Sequence, residues 1–203
     1  MMFVNLGVSI AAVSIVVMRV YMLWFRYRMS SQAFADNIVA HVDQGSYANA
    51  IQTCSQKEYH PLAAITKDIL LKADRSDKEI ERAYETSAAR EIPRFKRFTA
   101  FLPQAGNLGT LIGLLGTIHG LIEAFGGAQA EDAAQRQAVL AKGITVAFYN
   151  TFFGLSIAVF CAIAFIILNG RQGLLLEGIE NALNRIRERI IDRNKAVRTA
   201  RAA

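Results

Sequence analysis

Gly113-Leu-Leu-Gly-Thr-Ile-His-Gly120 lies inside an apolar stretch, residues 99–125, that also carries Gly106 and Gly109. His119 and Glu123 are its two ionisable side chains. About 20 apolar residues cross a hydrocarbon layer of roughly 30 Å, so the stretch is long enough to span a membrane. Gly109, Gly113, Gly116 and Gly120 recur at steps of four, three and four, which puts them on one helix face. A face without side chains lets a second helix approach closely, as small residues do between membrane helices. Thr117 sits within that face and adds a hydroxyl without a charge.

Two further segments have the same character. Residues 3–25 are apolar apart from Asn5, two serines and Arg19, and residues 144–168 apart from Thr145, Asn150, Thr151 and Ser156. The first lacks a positively charged leader, its apolar run is too long for a secretory signal, and its basic residues follow the run. It is read as a retained anchor. The fold class is therefore an all-α membrane protein: three transmembrane helices with long helical extensions into the cytoplasm.

Lys and Arg set the expected orientation. Arg19, Arg26 and Arg28 close the first span, Arg94, Lys96 and Arg97 precede the second, and Arg171 follows the third. The 126–143 connection carries Arg136 and Lys142 against Glu131 and Asp132. By the positive-inside rule the expected organisation is a first span over 1–28 with its N-terminus outside and a cytoplasmic helical domain over 29–97. A second span over 98–125, an outer loop over 126–143, a third span over 144–169 and a cytoplasmic C-terminal helix over 170–203 complete it. Arg19 is expected to snorkel to the inner interface. The net charge of +6 is accounted for by topology and anionic lipid and calls for no nucleic-acid partner.

The cytoplasmic parts read as helices. Residues 31–97 carry ten acidic and ten basic side chains in alternation. Ser30 or Ser31 is a fitting N-cap for a helix ending near Gly45. Residues 77–98 contain no glycine and lead straight into the second span, with Pro93 and Pro103 placed to kink that rod. In the tail Leu176, Ile179, Leu183, Ile186 and Ile190 fall at steps of three and four, with Arg185, Arg189 and Arg193 opposite, an amphipathic helix continuing the third span. Residues 198–203 are expected to fray.

Catalytic chemistry finds no foothold. Cys54 and Cys161 are remote in sequence and fall in different compartments, so they form neither a metal motif nor a disulfide. His41 and His60 stand apart from any Cys, Asp or Glu constellation and are expected to be solvated or packed. Phosphate-loop and nucleophile-elbow patterns are missing, so an enzyme, a metal site and a bound cofactor are all unexpected. The polar residues of the spans each carry two readings. Thr117 and Thr151 either bond back to a carbonyl of their own helix or line a polar path. Glu123 is either a pore-mouth residue or a solvated helix end, and His119 either titrates or packs. Asn150 must find a partner on another helix, since a buried amide is costly in lipid.

At these residues the chain resembles a known family. Residues 113–125, followed by Thr151-Phe-Phe-Gly-Leu155, are similar to the two membrane blocks of the TolQ/ExbB/MotA proton channels. Ala50, Cys54, Pro61-Leu62-Ala63 and the run from Glu81 through Ala88-Ala89-Arg90-Glu91 fall in the order of TolQ- and ExbB-like members. Three spans favour that branch over MotA. The resemblance implies a subunit of a bacterial inner-membrane motor, with 126–143 in the periplasm. It also implies a ring, typically a pentamer, around two single-span helices of a TolR- or ExbD-like partner. A partner aspartate would carry the proton past lumen threonines, to which Thr117 and Thr151 correspond. Gly109, Gly113, Gly116, Gly120 and Gly154 are the expected packing positions.

The chain departs from the family pattern in three places. Thr110 stands where a proline is usual early in the second span, Cys161 lies near a proline position missing from the third, and Val146 stands where an acid often precedes the third-span threonine. Glu123, Thr110 and Asn150 are the polar residues left to compensate for Val146. Two other classes stay open: a structural scaffold that oligomerises through its glycine face, and a transporter or insertase that works without a partner.

Overall fold

In a computed structural model of the chain, which describes residues 2–27, 29–127 and 133–202, every regular element is helical among the described residues. The elements are α1 (Met2–Tyr21), α2 (Ser31–Asp43), α3 (Tyr47–Gln56), α4 (Pro61–Leu70), α5 (Asp77–Lys96), α6 (Phe101–Gly127) and α7 (Ala133–Ala202). A π-helical turn, Met22–Arg26, follows α1. Three stretches, Val4–Arg26, Asp77–Gly126 and Ala133–Ala200, contain windows long and apolar enough to cross a membrane. The chain divides into two compact units: Met1–Tyr21 with Phe98–Asn169, and Met22–Arg97 with Gly170–Ala203.

The first unit is the membrane unit. Ala12 of α1 packs with Ile157 and Cys161 of α7, with Val8 and Ala105 alongside. Leu111, Ile118 and Ile122 of α6 and Phe148, Phe152 and Ile166 of α7 stay exposed, as helices facing lipid or another apolar surface do. Arg19 does not snorkel. It is 1% exposed and its Nε donates to Thr99 Oγ1 at 3.0 Å. A guanidinium taken out of water needs donors satisfied in place, and the hydroxyl of Thr99 serves that purpose.

The expected outer connection is shorter than its polarity implied. α6 runs to Gly127 and α7 begins at Ala133, so 133–143 is helix. Residues 133–142 are rich in Ala and Gln with Leu140, good helix formers, and polarity alone reports nothing of that. Glu131, Asp132 and Arg28 lie outside the described residues.

α5 and α6 are not one rod either. Residues 97–100 form turns, where Phe101 N donates to Phe98 O (3.4 Å) and Leu102 N to Thr99 O (3.2 Å). Pro103 has no N–H to give the Thr99 carbonyl, and its ring crowds that oxygen. Three residues into α6 the missing donor costs nothing, because first-turn N–H groups are unpaired in any helix. Pro93, by contrast, is accommodated inside α5.

The second unit closes α2–α5 and the distal half of α7 around one core. Ile38, Leu62, Ile65, Ile80, Leu183 and Ile186 are fully buried there, and Leu176, Ile179, Leu183, Ile186 and Ile190 form the inward stripe of α7. Ser30 caps α2, its Oγ accepting from Ala33 N. Gly45, at φ +79°, takes the left-handed turn that a side chain would resist. Ser76 and Glu79 form a capping box on α5, and the Ser76 amide and hydroxyl hold the Glu79 carboxyl below its ordinary range. The outer face of α7 is ion-paired: Arg185 to Asp36 (2.6 Å), Arg187 to Glu81 (2.8 Å) and Arg189 to Asp43 (2.7 Å). Exposed pairs contribute little each; the apolar stripe holds the helix down. α7 is tied down as far as Arg198, the first of the residues expected to fray. Asn194 donates to Ala73 O, and Arg198 one turn on donates to Arg75 O.

His60 is packed. Its Nδ1 accepts from Leu62 N at 3.3 Å, capping α4, and Tyr27 meets its ring edge-on. Burial first, then the charge of Lys57, lowers its pKa from 6.5 to about 4. Below pH 6.5 the unfolded chain takes a proton that the folded chain refuses. Stability is therefore lost as pH falls through that window, by up to about 3 kcal/mol. His60→Asn keeps a capping acceptor and removes the titration. Melting curves of the variant are expected to lose the acid limb between pH 6.5 and 4 while matching the parent at neutral pH.

Candidate functional site

The crossing of α6 and α7 is built on glycine. A β-carbon on Gly109 would meet Ile157 and the Gly154 carbonyl oxygen, and one on Gly113 would lie 3.0 Å from the Asn150 carbonyl oxygen. Gly116 faces the Asn150 side chain and Gly120 faces Ala147. From the other side, a β-carbon on Gly154 would lie 2.5 Å from the Gly109 carbonyl oxygen. Side-chain-free faces with a three- and four-residue repeat produce this approach. Gly143 and Ala147 also belong to it, Gly143 lying against Ala124. The signal for them is in the sequence: Gly143, Ala147 and Gly154 fall at steps of four and seven on α7.

The approach brings two hydroxyls together. Thr117 Oγ1 donates to Leu114 O at 2.6 Å, and Thr151 Oγ1 donates across the crossing to Thr117 Oγ1 at 3.4 Å. Thr117 thus bonds back to its own helix, while Thr151 reaches the facing one. Asn150 Nδ2 donates to Gly116 O at 3.5 Å, so its amide also bridges the helices. Thr110 stays outside this set, its Oγ1 donating to Gly106 O at 3.2 Å.

Beyond the threonines a cavity of about 630 Å³ is lined by His119, Gly120, Glu123, Val146, Tyr149, Asn150, Phe152 and Phe153. His119 Nε2 lies 3.4 Å from Glu123 Oε1. Val146 shares the cavity, so the position lacking an acid and the pair bearing one open on the same space.

Chemically, the crossing offers hydroxyl and amide groups that orient water or a passing proton. It offers no carboxylate to store one. Among the described residues no three His, Cys, Asp or Glu side chains gather into a metal-binding group. Cys54 is buried, and burial pushes its thiol up to about 12, an unreactive state.

Fold and site together define a helical membrane protein with three spanning stretches, the second and third meeting through glycine around a hydroxyl pair. Residues 55–181 match the model of the MotA/TolQ/ExbB proton channel family, and the chain belongs to that family, in its ExbB branch. A putative biopolymer transport protein, ExbB-like 3, of Synechocystis is 26% identical over 155 residues, covering 76% of this chain and 73% of that protein. The biopolymer transport protein exbB1 of Vibrio cholerae is 33% identical over 132 residues, 58% of each chain. A second Synechocystis relative, ExbB-like 1, is 30% identical over 158 residues, 73% of this chain and 60% of its own length. The chain thus spans less than two thirds of the latter two relatives.

Proposed function

We propose that the chain is the ring-forming stator subunit of a bacterial inner-membrane motor, coupling proton-motive force to mechanical work through a TolR- or ExbD-like partner. The observation that carries this reading is the Thr151–Thr117 hydroxyl contact of 3.4 Å at a glycine crossing. A path with hydroxyls and no carboxylate at that level passes a proton that something else must carry. The carrier is an intramembrane aspartate on a single-span helix of the partner, around which several copies of this chain, five by family resemblance, close a ring. The 30–97 segment and the C-terminal helix then lie in the cytoplasm. One unit charge crossing 100 mV releases about 2.3 kcal/mol, enough to bias a step of one packed element past another.

A native pull-down from fresh membranes in mild detergent, followed by mass spectrometry, tests the reading. The expected companion is a small protein with one span and an intramembrane aspartate, its periplasmic domain indicating whether the work is nutrient uptake, envelope maintenance or motility. Recovery of the chain alone as a stable homo-oligomer would turn the assignment to a scaffold.

A further inference from the structure

The His119–Glu123 pair is more than a helix-surface contact. The two side chains are 56% and 66% exposed in the single chain, on a helix that crosses the membrane. An ionisable pair facing hydrocarbon is costly, so such groups face water or protein. The cavity supplies that setting: Asn150 and Tyr149 of α7 line it with the pair. His119 and Glu123 stand two and six residues beyond Thr117, or about 3 and 9 Å along the axis at 1.5 Å per residue. Asn150 joins the two levels, lining the cavity while reaching Gly116 O.

We propose that His119 and Glu123 form a proton-holding pair that loads the threonine crossing from the cavity; this rests on the channel reading above. A hydronium in the cavity gives its proton to the unprotonated nitrogen of the imidazole, leaving water and an imidazolium held by the Glu123 carboxylate. The imidazolium then gives that proton to the partner's carboxylate, which becomes a neutral acid while the imidazole returns to its neutral form. From α7 the titratable group lining the cavity is Tyr149, with Lys142 one turn before Val146; α1 carries no ionisable side chain from Met2 to Met18. Val146 offers no carboxylate, so the acid of this cavity comes from α6.

Proton flux into proteoliposomes holding the chain with its co-purified partner, driven by a potassium–valinomycin potential and read by an internal pH dye, tests the pair. Flux is recorded at outside pH values from about 5 to 8. Glu123→Gln is expected to lower flux about 100-fold, the scale of a lost proton-transfer group, and Glu123→Asp to restore it. His119→Gln removes the group that accepts the proton and is expected to lower flux on the same scale. Parent flux and parent pH profile in both Gln variants, with flux lost in Thr151→Val, would overturn the pair and leave the channel reading standing. Equal loss in Glu123→Asp and Glu123→Gln with the pH profile unchanged would make the role one of packing, which also overturns it. Parent flux in Thr151→Val would take the hydroxyl crossing out of the proton path, and with it the observation on which the channel reading rests.

Discussion

Replacing Gly154 with leucine is expected to leave no correctly assembled protein in the membrane, and replacing it with alanine to lower stability measurably. A β-carbon there would lie 2.5 Å from the Gly109 carbonyl oxygen and 3.0 Å from the Gly113 α-carbon. Both are backbone atoms of α6, so no rotamer change relieves the overlap and the helices must separate. Overpacking of this kind costs about 1–3 kcal/mol for one added methyl. Within lipid the lost contact is not offset by a hydrophobic force between helices. Thermal unfolding and size-exclusion profiles in detergent check the result. Gly170→Ala, where a β-carbon meets nothing within 4 Å, is the control and is expected to be neutral or slightly stabilising because alanine is the better helix former. An unchanged melt for Gly154→Ala would mean that α6 and α7 do not touch through this face.

Thr151→Val is expected to abolish proton-driven work while leaving the protein folded. Valine keeps the branched shape of threonine and removes the hydroxyl that donates to Thr117 Oγ1. Thr117 spends its own proton on the Leu114 carbonyl, so the variant leaves no hydroxyl donor pointing across the crossing, only the Asn150 amide on the Gly116 carbonyl. Loss of one preorganised donor lowers rates about 100-fold or more, whereas one neutral hydrogen bond contributes only about 1 kcal/mol to stability. Thr151→Ser is expected to retain flux. Uncoupler-sensitive work in cells expressing only the variant, measured beside detergent melting, separates the two effects. Full work in Thr151→Val would take the hydroxyl pair out of the proton path.

Much of this was legible in the residues themselves. The spans are readable because bilayer thickness sets a length of apolar chain that needs no knowledge of neighbours. The glycine face of α6 is readable because helix periodicity is local, and so is the cap at Ser30, whereas the capping box at Ser76 was not read from the residues. Arg19 was misread for the complementary reason: its spacing gives its depth, while the side of α1 on which it lies against Thr99 depends on packing. The turns at 97–100 required knowing which of two prolines would interrupt the rod. Pro93 is absorbed in α5 and the break falls just before Pro103, in the turn that carries Thr99, the residue to which Arg19 donates. Arg198 reads as part of a polar, fraying end until Asn194 and Arg198 are seen against the carbonyls of the α4–α5 connection.

Sequence alone determined that this is a helical membrane protein with three spans, a glycine-faced second span and an amphipathic C-terminal helix. Those features depend on composition and on the 3.6-residue period of a helix, both properties of neighbouring residues. Tertiary structure decided which hydroxyls meet. Thr117 and Thr151 are 34 residues apart, and only the approach of Gly109 and Gly113 to Gly154 makes them neighbours. Tertiary structure likewise put Val146 in the same cavity as His119 and Glu123, because the register of two helices is set by contacts that neither segment contains by itself.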